Sequence, residues 1–128
     1  MFNEISAPCF GLNYDPSHLV WQGMDHVKPL REFAPRIHHV HAKDVRIDRA
    51  RLDDVGMLAL PLEFHSPVLP GRGEIDWRAF FTALDAIGYR GPVCIEVEDR
   101  EYESTLTRRQ EALRWCGSYL AGLMPPAR

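Results

Sequence analysis

The alternation of apolar and polar residues along the chain predicts three short strands. They cover residues 9–14, 37–43 and 93–98. In each strand one face is apolar and suited to packing under helices, whereas the other face is polar. The polar face of the second strand carries His39, His41 and Lys43, which pack poorly in a core. They indicate either a solvated edge strand or a site for a metal and an oxygen-rich ligand.

A helical pattern is clearest after Asp76, which is a suitable N-cap. Large apolar residues follow with spacings of three and four, and Gly88 is a suitable terminating residue. Two further helices are predicted at residues 25–33 and 104–120, the second with Ser104 as its N-cap. The buried side of this last helix is expected to comprise Leu106, Leu113, Cys116, Leu120 and Leu123. Its end is predicted at Gly122 and at Pro125-Pro126.

Apolar residues in the segment 45–70 recur with neither the spacing of a helix nor that of a strand. Arginine and aspartate alternate at the start of this segment, which is typical of a solvated surface. We expect a long loop with a short helix or a hairpin, followed by a tight turn at residues 70–74.

The order of these elements, with helices between the strands, favours parallel strands joined by crossover helices. The polar face of each strand carries an acid or an imidazole near its C-terminal end. An open doubly wound sheet has apolar faces on both sides, whereas a (β/α)8 barrel places its active site at the C-terminal ends of its strands. The pattern therefore predicts an α/β fold of the barrel type.

The composition excludes several classes of protein. The 128 residues carry a net charge of −3 and no run rich in Lys or Arg, so no nucleic-acid partner is expected. No apolar run approaches the roughly 20 residues that span a bilayer. The first residues lack the features of a signal peptide, so we expect a cytoplasmic protein without a membrane partner. Cys9, Cys94 and Cys116 are widely spaced and odd in number, which predicts a reducing compartment and buried thiols.

Three residues occupy equivalent positions at the ends of the predicted strands: Asp15, His41 and Glu96. Two carboxylates and an imidazole at one mouth suit a divalent ion such as Mn²⁺, Mg²⁺, Co²⁺ or Zn²⁺. Each residue alone has a simpler explanation, since Asp15 before Pro16 suits a turn and Glu96 could pair with an arginine. The set of three in register predicts a metal site.

Four stretches of the chain resemble the xylose isomerase-like sugar phosphate isomerases and epimerases, in the right order and spacing. They are residues 13–18, 39–44, 70–77 and 91–96. The resemblance runs over nearly the whole chain and implies the last three βα units of a TIM barrel. A complete barrel takes about 250 residues. Residues 1–128 are therefore expected to form a single domain, the C-terminal portion of such a barrel, truncated at its N-terminus.

The resemblance implies an isomerase or epimerase that acts on a small ketose, aldose or polyol through an enediolate. It assigns Asp15, His41 and Glu96 to the metal, and Glu96 also to general base catalysis. His18 is expected to contact the substrate and to take part in catalysis, beside Lys43 as a substrate-binding residue. Arg46 is the nearest match to an arginine that binds the sugar. Simpler roles for His18 and Lys43 are, respectively, capping a turn and pairing with Asp44 or Glu98.

The resemblance also implies a fourth metal ligand, a glutamate on the fifth strand, that this chain does not contain. Three parallel strands alone leave two edges unpaired. We therefore expect an isolated chain that is marginally stable or oligomeric, and that needs the missing N-terminal half or self-association.

Three alternatives use the same residues differently. An inosose-type dehydratase would employ the same metal site. An endonuclease IV-like phosphodiesterase would need three metals and an Asp-x-His motif in the following loop, where this chain has Glu63-Phe64-His65. An inactive remnant would bind no metal tightly.

Overall fold

The structure of the protein, a computed structural model, describes residues 2–124 and contains a central parallel sheet. Its strands are β1 (Leu12–Tyr14), β2 (Ile37–Ala42) and β5 (Val93–Ile95), in the order β1-β2-β5. Asn13 lies opposite His39, and His41 lies opposite Cys94. The predicted parallel α/β arrangement is confirmed, and the strands of residues 2–124 do not close into a barrel.

Five α-helices surround this sheet in the part of the chain that the structure describes. They are α1 (Pro16–Val20), α2 (Lys28–Glu32), α3 (Arg49–Val55), α4 (Trp77–Ala86) and α5 (Leu106–Ala121), and a 3₁₀ turn covers Ala34–Arg36. None of the described helices is long and apolar enough to cross a bilayer. α2 begins three residues later than predicted, and Asp25 accepts hydrogen bonds from the N–H of Val27, just ahead of the helix, and from that of Lys28, its first residue.

Residues 45–70 contain both of the elements that the sequence left open. An antiparallel pair of strands, β3 (Asp44–Ile47) and β4 (His65–Val68), encloses α3. Val45, Ile47 and Phe64 form a small buried cluster under this pair. The charged residues that obscured the pattern lie mostly on α3, in which no residue is fully buried.

The main core lies between the parallel sheet and α4, as the helical pattern predicted. Asp76 caps the helix by accepting a hydrogen bond from the N–H of Ala79 at 2.9 Å, and Gly88 adopts a φ of 71° just beyond its end. The fully buried Phe80 belongs to the same core cluster as Val40 of β2. This packing fixes the position of β2, whose opposite face forms the site described below.

The C-terminal helix differs from the prediction at its start and on its buried face. Thr105, not Ser104, is the N-cap, and its hydroxyl accepts a hydrogen bond from the N–H of Arg108. Leu106 and Leu113 are exposed rather than buried. Cys116 and Leu120 are buried as predicted, and together with Ala112, which was not predicted, they cover Leu69 and the main core. The predicted end at Pro125-Pro126 lies outside the described residues.

The expectation of three buried thiols was wrong for two of them. Cys9 and Cys94 are exposed, and Cys116 is buried. Cys94 belongs to the polar face of β5, which faces away from the core, and Cys9 lies in a turn ahead of β1. Burial raises the pKa of the Cys116 thiol to about 11.

Candidate metal centre

Asp15 connects the end of β1 to the start of α1. Its Oδ1 accepts hydrogen bonds from the backbone N–H of Ser17 at 2.9 Å and from the Ser17 hydroxyl at 2.6 Å. Pro16 occupies the first turn of α1, where a proline is favoured, so it starts a helix as well as ending a strand. The cap fixes the carboxylate and leaves Oδ2 for the cleft beyond the strand ends.

His41 and Glu96 complete a group of three possible ligands. The Nδ1 atom of His41 lies 3.0 Å from Glu96 Oε1 and 4.0 Å from Asp15 Oδ2. Glu96 follows β5 directly, and its N–H donates to the carbonyl of Ala42 at 3.2 Å, which holds it beside the end of β2. One ligand atom from each of the three residues lies within 4.8 Å of the others.

The chemistry of this group fits a divalent cation. Asp15 Oδ2 and Glu96 Oε2 are buried, and each lies 3.1 Å from the Lys43 ammonium. Buried carboxylates are costly unless positive charge neutralises them, and one ammonium, which also contacts Glu98, balances only one of these negative charges. Two carboxylates and one imidazole are ligands that borderline and hard divalent ions share. The residues could therefore hold such an ion.

Lys43 supplies the positive charge of the group. Its Nζ lies 3.1 Å from Asp15 Oδ2, 3.1 Å from Glu96 Oε2 and 3.2 Å from Glu98 Oε2. Burial acts to lower the pKa of the Lys43 ammonium, but the three carboxylates outweigh burial and raise the pKa above its ordinary value. Of the two simpler partners expected for Lys43, Glu98 is present in this contact. Asp44 points elsewhere.

Asp44 is fully buried and organises the turn that follows β4. Its oxygens accept from the backbone N–H groups of Val45, Gly71 and Ile75 and from the indole N–H of Trp77, at 2.8–3.1 Å. A Cβ at Gly73 would lie 2.3 Å from Asp44 Oδ1, so only glycine allows this approach. The Gly-rich turn is therefore tied to the strand end that carries His41 and Lys43.

The two remaining histidines of the prediction lie around the group. His18 is mostly exposed, and its Nε2 lies 3.5 Å from Asp15 Oδ2, which places the ring at the rim of the cleft. His39 packs edge-on against His41, with ring centroids 5.3 Å apart.

These residues line an open cleft of ≈ 700 Å³, a volume that suits a small ligand. One side is polar, with the carboxylates, His41 and Lys43, and the other is apolar, with Leu19 and Phe33 among its residues. Arg46 does not line this cleft. Its side chain is exposed and borders a neighbouring cavity of ≈ 300 Å³, together with Arg100.

Sequence reasoning missed the contact that Asn13 makes with the site. Its Nδ2 lies 3.0 Å from Nε2 of His41, on the opposite edge of the ring from the carboxylates. Strand alternation had already placed Asn13 on the same face as Asp15, which was the signal for it. The same rule places Glu98 on the face of Glu96.

Comparisons with known proteins agree with the fold. A family model described as "Xylose isomerase-like TIM barrel" matches residues 1–119. The chain is 43% identical over 102 residues to the uncharacterized protein YfiH of Bacillus subtilis, covering 73% of this chain and 32% of that protein. It is 38% identical over 124 residues to an inosose dehydratase of Geobacillus thermodenitrificans, covering 91% of this chain and 42% of that protein.

Solved structures show the same fold. A xylose isomerase domain protein from Planctomyces limnophilus superposes with a TM-score of 0.74 at 24% identity, over 95% of this chain and 40% of that one. A second such protein, from Alicyclobacillus acidocaldarius, gives a TM-score of 0.62 at 25% identity, over 94% of this chain and 40% of that one. The chain spans less than half the length of these relatives.

Proposed function

The chain belongs to the xylose isomerase-like TIM barrel family, and from this premise we propose that it carries the metal site of a sugar isomerase or epimerase. The observation that supports this most is the convergence of Asp15, His41 and Glu96 at one cleft. We assign residues 1–128 to the C-terminal portion of the barrel. The substrate class is a small ketose, aldose or polyol, free or phosphorylated.

In this proposal Asp15, His41 and Glu96 hold a divalent cation, Mn²⁺, Mg²⁺, Co²⁺ or Zn²⁺. A bound cation would polarise the substrate carbonyl and offset negative charge on adjacent oxygens. Asn13 contacts the edge of the His41 ring that faces away from the carboxylates and fixes the ring's orientation.

The chain's own residues supply proton transfer and orientation. Glu96 takes a proton from the carbon next to the carbonyl, which leaves an enediolate. In an isomerisation the proton returns to the neighbouring carbon, and in an epimerisation a proton returns to the opposite face of the same carbon. His18 at the rim and Lys43 inside the cleft donate hydrogen bonds to substrate oxygens. Arg46 would reach a ligand only from the neighbouring cavity, which makes it the weakest assignment of the set.

A second candidate is the dehydration of an inosose. Its support is the name of the Geobacillus relative, which matches 91% of this chain at 38% identity. Dehydration begins with the same removal of a proton next to a carbonyl. It then differs, because the hydroxyl on the next carbon leaves as water instead of remaining on the product.

We propose that a further segment or a second copy of the chain completes the cleft. Within residues 2–124, β1 and β5 each pair only with β2, so both edges of the parallel sheet are open. This would supply the fourth ligand that the family resemblance implies.

A chimaera tests the proposed function. The matching segment of the Geobacillus relative is replaced by this chain, and products from inosose and from a panel of ketoses and aldoses are identified by NMR. Isomer formation supports the first candidate, and water loss supports the second. His41→Ala should abolish either activity, whereas His38→Ala is the matched control because His38 lies exposed on the same strand. A folded chimaera that converts none of these substrates would contradict the proposal.

A further inference from the structure

The Lys43 ammonium occupies the centre of the acidic cleft. It lies within 3.2 Å of one oxygen from each of Asp15, Glu96 and Glu98, and its side chain is 10% exposed. An ammonium confined in this way is a fixed charge of the site. The exposed pair Lys28–Glu32 shows the ordinary case, with a distance of 3.7 Å and both side chains largely in solvent.

The oxygens that Lys43 approaches include those a cation would need. Asp15 Oδ2 and Glu96 Oε2 are both buried carboxylate oxygens. Each lies 3.1 Å from Lys43 Nζ. A divalent ion and an ammonium cannot both neutralise the same pair of oxygens at close range, since their charges repel.

Glu98 offers the ammonium an alternative partner. It contacts Lys43 at 3.2 Å, yet it lies outside the group of three possible ligands, and its side chain is 52% exposed. Lys43 can therefore give up Asp15 and Glu96 without losing every carboxylate.

We propose that Lys43 competes with the divalent cation inside the cleft. In the metal-free chain the Lys43 ammonium neutralises Asp15 and Glu96, and when the cation binds, the ammonium withdraws to Glu98. This inference rests on the proposed metal site and deepens it. It makes Lys43 and Glu98 residues that set the metal affinity.

Calorimetry with Mn²⁺ alone on the full chain tests the first half of the proposal. Lys43→Met and Lys43→Gln should bind Mn²⁺ about tenfold more tightly than the wild type, the effect of one charge-assisted hydrogen bond that binding no longer has to break. Lys28→Met is the matched control and should leave the affinity unchanged. Unchanged or weaker binding by both Lys43 variants would overturn the proposal and would favour a role in orienting substrate.

Variants of Glu98 distinguish competition between Lys43 and the metal for carboxylates from simple charge repulsion between them. Glu98→Gln should weaken Mn²⁺ binding by about three- to tenfold when Lys43 is present, because the ammonium loses its alternative partner. In the double variant with Lys43→Met the Glu98 effect should disappear. Equal weakening in both backgrounds would mean that Glu98 acts only through its charge on the metal. Glu32→Gln is the control.

A measurement on the wild type keeps the proposal testable if the Lys43 variants do not fold. The NMR signals of the Lys43 ε-methylene group should shift when diamagnetic Mg²⁺ or Zn²⁺ is added, and more so than those of Lys28. An unchanged Lys43 signal at saturation would overturn the proposal while leaving the metal site intact. A chain that binds no ion in the wild type or in either Lys43 variant would instead remove the proposed function itself.

Discussion

Two neighbouring groups of buried acids at the end of β2 differ in how their oxygens are satisfied. The Asp44 cluster comprises Asp44 and its donors, and the metal cleft comprises Asp15, His41, Lys43, Glu96 and Glu98. Asp44 is fully buried and accepts four hydrogen bonds from the strand end and the following turn. Asp15 and Glu96 each keep a buried oxygen that faces the Lys43 ammonium instead of a backbone donor.

The difference separates a carboxylate that is fully hydrogen-bonded within the fold from one that could bind a ligand. Donors from the backbone and from Trp77 saturate Asp44, so no lone pair is available for a ligand. In the metal cleft the same kind of side chain faces an ammonium and an open volume, so a ligand can take its oxygens. Burial alone does not distinguish the two, because the Asp15 side chain is also only 9% exposed.

The largest effect is expected at the Asp44 cluster. Asp44→Ala leaves the indole N–H and three backbone N–H groups without an acceptor, so the free energy of unfolding should fall by roughly 3–5 kcal/mol. Urea denaturation followed by circular dichroism measures this as a lower midpoint. Asp53→Asn on the exposed side of α3 is the control. A loss below about 1 kcal/mol would show that the four hydrogen bonds do not stabilise the fold.

The metal cleft should respond in the opposite way. Glu96→Gln removes one of the three carboxylates around the Lys43 ammonium, which keeps Asp15 and Glu98, so the stability of the metal-free chain should change by less than about 1 kcal/mol. The Mn²⁺ affinity of the same variant should fall by about 100-fold, since a ligand is lost. Denaturation and calorimetry on one protein preparation give both values. A variant that unfolds easily but binds Mn²⁺ normally would reverse the comparison.

The smallest effect concerns His26, where a buried polar atom accepts no hydrogen bond from the described residues. Burial lowers the pKa of His26 below its ordinary value of 6.5, against the opposing charges of Asp25, Asp76 and Asp44. Protons therefore bind the unfolded chain more tightly. The stabilisation is complete above the ordinary pKa and is lost as the pH falls through it.

This pH dependence tests whether a buried polar atom without a hydrogen bond has a structural effect only, as we expect for His26. In contrast to the cleft residues, His26 stacks on Phe80 and belongs to no group of possible ligands among the described residues. The stability of the wild type should decline as the pH falls below the ordinary histidine pKa of 6.5, and His26→Gln should reduce that decline. His38→Gln, at an exposed position, should not. Identical pH profiles for the wild type and His26→Gln would contradict the assignment.

The elements that could be predicted from the sequence are those set by a repeat of apolar residues or by a short motif within one segment. Strand β2 and helix α4 have uninterrupted patterns, and the alternation rule alone put Asp15, His41 and Glu96 at corresponding strand ends. Helix α1 was not predicted, because Asp15-Pro16 suits a turn as well as a helix start. The Ser104 cap failed by one residue, since Thr105 is an equally good cap.

Contacts between distant segments could not be predicted in this way. Asp44 binds donors about 30 positions further along the chain, and its role depends on a turn whose path no local pattern reveals. Lys43 and Arg46 lie three residues apart, yet one enters the cleft and the other faces a neighbouring cavity. The antiparallel pairing of β3 with β4 decides that difference.

The most direct test of the central claim is electron spin resonance of Mn²⁺ titrated into the full chain. The account predicts one tightly bound Mn²⁺ per chain, with spin-echo modulation from a single imidazole nitrogen. His41→Ala should lose that modulation and most of the affinity, whereas His38→Ala should keep both. Weak binding of equal strength in all three proteins, without nitrogen modulation, would contradict the assignment of Asp15, His41 and Glu96 as a metal centre.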